Sequence, residues 1–330
     1  MTNPINSPIQ SGNSPTQPVG LLNNVPLILV VLVLVDSLHF VFARLLLPYL
    51  PPTTSSFYYM ALATVQIAVF AAVRRQIKWQ IFREHIRFFF AIGFLIAAAT
   101  STSFAAIVYI DPGTASLIAR MNTIFALGFG IFWLKERLAR GEKIGAIVAI
   151  IGVFIISFQL GDANGRLWLG TALVLGSNFA YAFHAAIVKR YGEEIDLLNF
   201  FLFRMMTSIL FLLIFAIGRG EMMWPKEPQA WWILLLAGTI NVTISRSLYY
   251  IILRRFQLSI FTILMTLSPA VTILWSLALF GERPSLQGLL GGTAVILGVI
   301  LVTMSKRNKK ARRLAAESEV SANRETAVSL

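Results

Sequence analysis

The chain has 330 residues, 57% of them hydrophobic and only 13% charged, with a formal net charge of +13. A soluble domain carries roughly a quarter charged residues, so this composition argues against a soluble fold. There is no cysteine and there are three histidines, which excludes disulfides, thiol nucleophiles and thiolate metal sites.

Residues 1–25 are rich in Asn, Pro, Ser and Gln and carry no charge. Such a segment cannot build a core and predicts a disordered cytoplasmic tail. It lacks the basic start of a signal peptide, and the apolar block behind it is too long for one. A helix needs about 20 apolar residues to cross a bilayer core of ~30 Å. Blocks of that kind predict ten spans, near 26–47, 55–73, 88–110, 113–134, 143–160, 168–188, 197–217, 231–253, 258–280 and 287–304. A basic tail, 305–330, follows. The expected fold is an all-α polytopic membrane protein.

The positive charge is placed by topology rather than by nucleic acid. With the N-terminus in the cytoplasm, 20 Lys and Arg residues fall in cytoplasmic loops and the C-terminal tail. Five fall at the outer face: Arg44, Arg166, Arg219, Lys226 and Arg283. The positive-inside rule therefore predicts cytoplasmic termini, and the expected location is the plasma (inner) membrane. The run from Arg74 to Phe90 is expected to begin as an interfacial helix on the cytoplasmic side.

Leu134–Ser157 and Phe280–Thr303 match at an offset of 146 residues. Glu136/Glu282, Arg137/Arg283, Gly145/Gly291 and Gly152/Gly298 coincide. Val35–Phe42 in span 1 also aligns loosely with Gly176–Phe183 in span 6. The chain then divides into one repeat over 26–160 and a second over 161–304. Because five is odd, the second is inverted in the membrane. Inverted repeats place a substrate site near the midplane, where the halves meet. Glu136 and Glu282 then stand at opposite faces, as caps or gates beside their neighbouring arginines.

These features resemble the drug/metabolite transporter superfamily, EamA-like branch. The resemblance rests on the five-plus-five layout, on "LKER" and "GERPS" after spans 4 and 9, and on the glycine-bearing spans 5 and 10. Pro269 lies within the most family-like stretch, Leu267–Ser285, whereas span 4 has Thr123 at the matching place. Similarity to this family implies a central cavity lined by spans 1, 3, 4, 6, 8 and 9. It also implies movement of small metabolites, often outward, by alternating access.

A charge at mid-bilayer costs at least ~2.5–3.5 kcal/mol on insertion scales, so deep polar residues must face a cavity or a partner. Asp36 is the only acid well inside a span, and His39 lies three residues on, on the same helical face. The pair reads either as a proton-coupling site or as a structural contact to a neighbouring helix. Ser116, Arg120 and Thr123 form one stripe on span 4; Thr239, Thr243, Arg246 and Tyr250 form another on span 8. Each puts a guanidinium among hydroxyls, and its donor fork suits a carboxylate. The competing reading is an internal ion pair of either arginine with Asp36. Span 6 offers Ser177, Asn178, Tyr181 and His184, and span 3 offers Thr100–Ser103. These, with Asn122 and Asn241, read as either packing or cavity lining. Arg204 is close enough to the cytoplasmic end of span 7 to snorkel.

The expected function is a secondary transporter of amino-acid-like or other carboxylate-bearing solutes, running as an exporter. The expected substrate contacts are Arg120, Arg246, Asn122, Thr243, Tyr250, Asn178 and Tyr181, with Asp36 and His39 in proton coupling. No metalloprotease, dinucleotide or P-loop motif is present, and no cofactor is expected. The expected partners are a small-molecule substrate and the lipid bilayer, not nucleic acid. Assembly as a homodimer is left open. A membrane-embedded enzyme and a non-transporting scaffold or sensor are the alternative classes.

Overall fold

The computed structural model describes residues 25–133, 139–157, 165–191, 195–245, 248 and 265–305. Arg246, Tyr250 and Glu136 lie outside the described residues, as do 1–24 and 306–330 of the two predicted tails. Every regular element among the described residues is helical. The first half contains α1 (Val25–Asp36), α2 (His39–Leu46), α3 (Pro52–Val73), α4 (Trp79–Glu84), α5 (Ile86–Ala106), α6 (Pro112–Ala119), α7 (Asn122–Phe132) and α8 (Arg140–Ser157). The second contains α9 (Arg166–Tyr191), α10 (Leu197–Gly218), α11 (Pro228–Ala237) with a π-helical continuation (Gly238–Ile244), α12 (Ser268–Phe280) and α13 (Leu286–Ser305).

A helix stands in each of the ten apolar segments. α3, α5, α9, α10, α13 and the α6–α7 pair are each long and apolar enough to cross a membrane. Large apolar side chains are widely exposed: Phe132 at 86%, Val73 at 78% and Leu286 at 75%. Surfaces of this kind are at home against hydrocarbon. With the apolar helices, they make this a multi-pass membrane protein.

Four segments depart from regular α-helix. Span 1 tightens at Ser37–Leu38, where the Leu38 N–H turns to the Val35 carbonyl at 3.3 Å. Span 4 tightens at Arg120–Met121, with i→i−3 bonds from Arg120 to Leu117 and from Met121 to Ile118. Span 8 widens into the π-helical turn. Span 9 restarts at Ser268 with Pro269 in its first turn. Adding 146 to Arg120–Met121 gives Thr266–Leu267, the turn residues just before α12.

Glycines set the closest approach in the structure. A Cβ added to Gly145 would stand 2.5 Å from the Gly298 carbonyl oxygen, and one on Gly152 would stand 2.5 Å from that of Gly291. α8 and α13 therefore run antiparallel with backbones in contact, an arrangement that small residues permit. Elsewhere α5 packs on α9 and α10, α3 on α10, and both α1 and α6 on α12. At one end Trp79, Phe82, Phe89 and Phe203 cluster, with ring centroids 5.1–6.4 Å apart. Beside them the Arg204 guanidinium lies 4.5 Å from the Phe201 ring centroid, a cation–π contact. Within Arg74–Phe90 the structure has a six-residue helix, α4, followed by the start of α5. The loop before α4 is pinned to α10: the Lys78 N–H donates to Asn199 Oδ1 at 2.9 Å, and Asn199 Nδ2 donates to the Gln76 carbonyl at 2.9 Å.

Candidate functional site

The irregular turns converge on a cavity of about 340 Å³. Spans 1, 3, 4, 6, 8 and 9 all contribute to its wall. Of the residues singled out in the sequence, Asp36, His39, Arg120, Asn122, Asn178 and Tyr181 line it.

Arg120 holds a defined position for a chemical reason. Pro269 has no N–H, so the carbonyl four residues earlier, that of Met265, has no helical donor. Arg120 Nη1 supplies one at 2.9 Å. Its Nε is buried and has no hydrogen-bond partner. Asp36 is close enough to act on the guanidinium electrostatically, yet the two form no ion pair among the described residues. The internal salt bridge between Arg120 and Asp36 is thus not made. Among the described residues, Asp36 accepts one weak hydrogen bond, from Ser268 Oγ to Oδ2 at 3.5 Å.

The kink of span 1 is splinted from spans 8 and 9. Asn241 Nδ2 donates to the Val35 carbonyl at 3.1 Å, and Thr272 Oγ1 donates to the Ser37 carbonyl at 2.9 Å. That orientation turns Asn241 Oδ1 toward Tyr59 Oη, which donates to it at 2.7 Å, and toward His39 Nδ1 at 3.4 Å. His39 Nε2 faces Ser103 Oγ at 3.3 Å, while the Ser103 hydroxyl donates to the Thr100 carbonyl. Both imidazole nitrogens therefore face oxygens that can accept a hydrogen bond.

On the opposite wall, Tyr181 Oη and Thr100 Oγ1 are 3.0 Å apart, and Asn178 Nδ2 donates to the Val174 carbonyl at 2.8 Å. His184 is buried but does not line the cavity. Nor does Thr243, whose hydroxyl donates to Gln66 Oε1 at 2.9 Å; Gln66 Nε2 in turn donates to Thr239 at 2.8 Å. The span 8 stripe thus turns partly onto span 2, and the π-helical turn explains it. One extra residue per turn shifts the helix phase, so Asn241 rather than Thr243 reaches the cavity.

The family resemblance implied that span 9 lines the cavity, but its lining residues went unnamed: Met265, Thr266, Ser268 and Thr272. Pro269 was the available signal, because a proline inside an apolar block exposes the carbonyl four residues before it. Arg44 was counted only as an outer charge. Its guanidinium pairs with Glu282 and donates to the Ile107 carbonyl at 3.4 Å. Glu282, in the loop after α12, thus takes its cation from Arg44 of span 1.

The sequence profile of the EamA-like transporter family matches the chain twice, over residues 25–158 and 168–304. The chain belongs to the EamA-like transporter family. Among relatives, the uncharacterized transporter YdfC of Bacillus subtilis is 25% identical over 61% of this chain and 66% of its own. A probable terminal-alkyne amino-acid exporter of Streptantibioticus cattleyicolor is 26% identical over 61% of this chain and 68% of its own. A solved crystal structure superposes with a TM-score of 0.58 at 18% identity. It covers 85% of this chain and 98% of the other. Membership of this family makes the chain a small-molecule transporter of the membrane.

Proposed function

We propose that this EamA-like protein is a secondary exporter of small carboxylate-bearing solutes, amino-acid-like among them, working by alternating access. The observation that carries the reading is Arg120. Its guanidinium is anchored to Met265, keeps a buried donor without a partner, and lines a polar cavity where the irregular helices meet. Fixed, partly desolvated donors of this kind suit a carboxylate. Asp36, on the same cavity wall, suits the ammonium of an amino acid or a coupling proton, with His39 as its neighbour. The name of the Streptantibioticus relative supports the amino-acid class.

Alternating access by two inverted five-helix repeats is supported by three features. The family profile matches each half. The span 4 and span 9 turns share the 146-residue offset of the sequence repeat. The antiparallel glycine contacts are reciprocal: Gly145 meets Gly298, and their repeat mates Gly291 and Gly152 meet each other. That is the pattern of a two-fold axis.

The test is uptake into proteoliposomes without nucleotide. Saturable transport of amino acids or other carboxylates is expected, and Arg120→Gln should weaken it strongly. Equal transport of carboxylate-free amines, insensitive to Arg120→Gln, would overturn the reading. Single cysteines at Ser285 and Arg140 test the inverted arrangement with both termini cytoplasmic. An impermeant maleimide applied outside cells should reach Ser285 alone.

A further inference from the structure

α2 and α12 each carry a cavity residue and, farther along, a residue of a second hollow. Phe40 on α2 and Thr272 on α12 line the central cavity. One turn beyond Phe40 is Arg44; two residues beyond the end of α12 is Glu282. Both line a separate hollow of about 560 Å³, with Phe280 and Tyr49. At 1.5 Å per residue, the step along each helix is about 6 Å on α2 and about 12 Å from Thr272 to Phe280 on α12. The helices pack against each other, and the Arg44–Glu282 ion pair bridges their seam between the cavity level and the end of the molecule.

The construction of the pair is that of a fastening that can open. Gly281, at φ +68°, ends α12 in the left-handed conformation and turns the chain so that Glu282 meets Arg44. Arg44 also reaches the Ile107 carbonyl just past α5, so spans 1, 3 and 9 are tied at one point. Glu282 is half satisfied: Oε1 holds Arg44, whereas Oε2 is buried with no hydrogen-bond partner. A partly buried carboxylate with one oxygen unpaired forfeits part of what would offset its desolvation, so the pair holds without being locked.

We propose that Arg44 and Glu282 form the latch that closes the central cavity toward the Glu282 end, and that this pair opens once per transport cycle. The proposal rests on the alternating-access reading above, but its test needs no substrate. In the cysteine-free chain, Ala119→Cys places a single thiol in the cavity wall. An impermeant maleimide is applied to right-side-out and to inside-out vesicles. Adding Glu282→Gln or Arg44→Gln should raise the labelling rate from one side roughly tenfold, the population shift expected when one state loses an ion pair. The exchanged pair, Arg44→Glu with Glu282→Arg, should return the rate toward that of Ala119→Cys alone and shows that the single variants did not merely misfold. Unchanged labelling from both sides in the single variants, or no restoration by a correctly inserted exchanged pair, would overturn the latch. Absence of solute transport with the labelling shift intact would overturn the transporter reading and leave the latch in place.

Discussion

In span 9 the helix is interrupted just before Ser268, with Pro269 in the first turn of α12. In span 4 it is interrupted at Arg120–Met121, and the position that the repeat matches to Pro269 holds Thr123. The span 9 interruption is written into the backbone, because a proline removes a donor and crowds the carbonyl behind it. Nothing in the backbone of span 4 removes a donor. What meets span 4 at its break is the carbonyl that span 9 left over: Arg120 reaches across to Met265. One repeat creates an unsatisfied acceptor, and the other supplies a cation to satisfy it, so two similar halves build one asymmetric site.

The sharpest way to break this picture is to remove the cation. Arg120→Gln leaves the Met265 carbonyl without its charged donor and the cavity without its guanidinium. A charge-assisted hydrogen bond is worth about 1.5–3 kcal/mol, so kcat/KM for a carboxylate substrate should fall roughly 100-fold. Arg120→Lys keeps the charge but loses the fork and should fall by about tenfold. Wild-type uptake by both variants would make Arg120 purely a splint.

Asp36→Asn asks whether the acid of span 1 in the same cavity works with that cation. Proton-driven accumulation should be lost while counterflow exchange of unlabelled for labelled solute continues, because exchange needs no net proton movement. Undiminished proton-driven accumulation would remove Asp36 from coupling.

Much of this site was legible as residue types and little of it as backbone. Asp36 and His39 were placed on one face by their spacing. Both do line the cavity, although the helix tightens between them. Ser116, Arg120 and Thr123 likewise share the cavity across a break that their spacing did not announce. Apolar blocks alone sufficed to locate the helices, since hydrocarbon demands long runs of internally satisfied backbone. What was not legible is what depends on a single shifted hydrogen bond. The π-helical turn that exchanges Asn241 for Thr243 has no composition signature, and the Arg44–Glu282 pair joins residues 238 positions apart.

Pro269→Ala sharpens the comparison from the span 9 side. The new N–H can return to the Met265 carbonyl, and Arg120 loses the reason for its anchor. A less preorganised guanidinium should bind the carboxylate only about threefold more weakly. Thermal stability in detergent should hold or rise, since a helical hydrogen bond is regained. A loss as large as that of Arg120→Gln would mean that the shape of the span 9 turn matters more than the anchor.

The smallest expected effect is the most direct test of equivalence between the halves. Thr123→Pro gives span 4 the residue that span 9 already has at the matching position. Proline inside a helix costs ~3 kcal/mol or more, but it is tolerated in the first turn. Thr123 is the second residue of α7, as Pro269 is the second of α12. Its N–H is spent on a 3.2 Å bond to the Arg120 carbonyl across the break, not on a regular helical partner. The substitution therefore removes one poor hydrogen bond and should cost about 1 kcal/mol, read as a small drop in Tm. Leu127→Pro, four residues farther into α7 and buried, is the control and should cost the full helix-interior penalty. Equal losses at the two positions would mean that span 4 is a continuous helix in the membrane and that its resemblance to span 9 ends at the sequence.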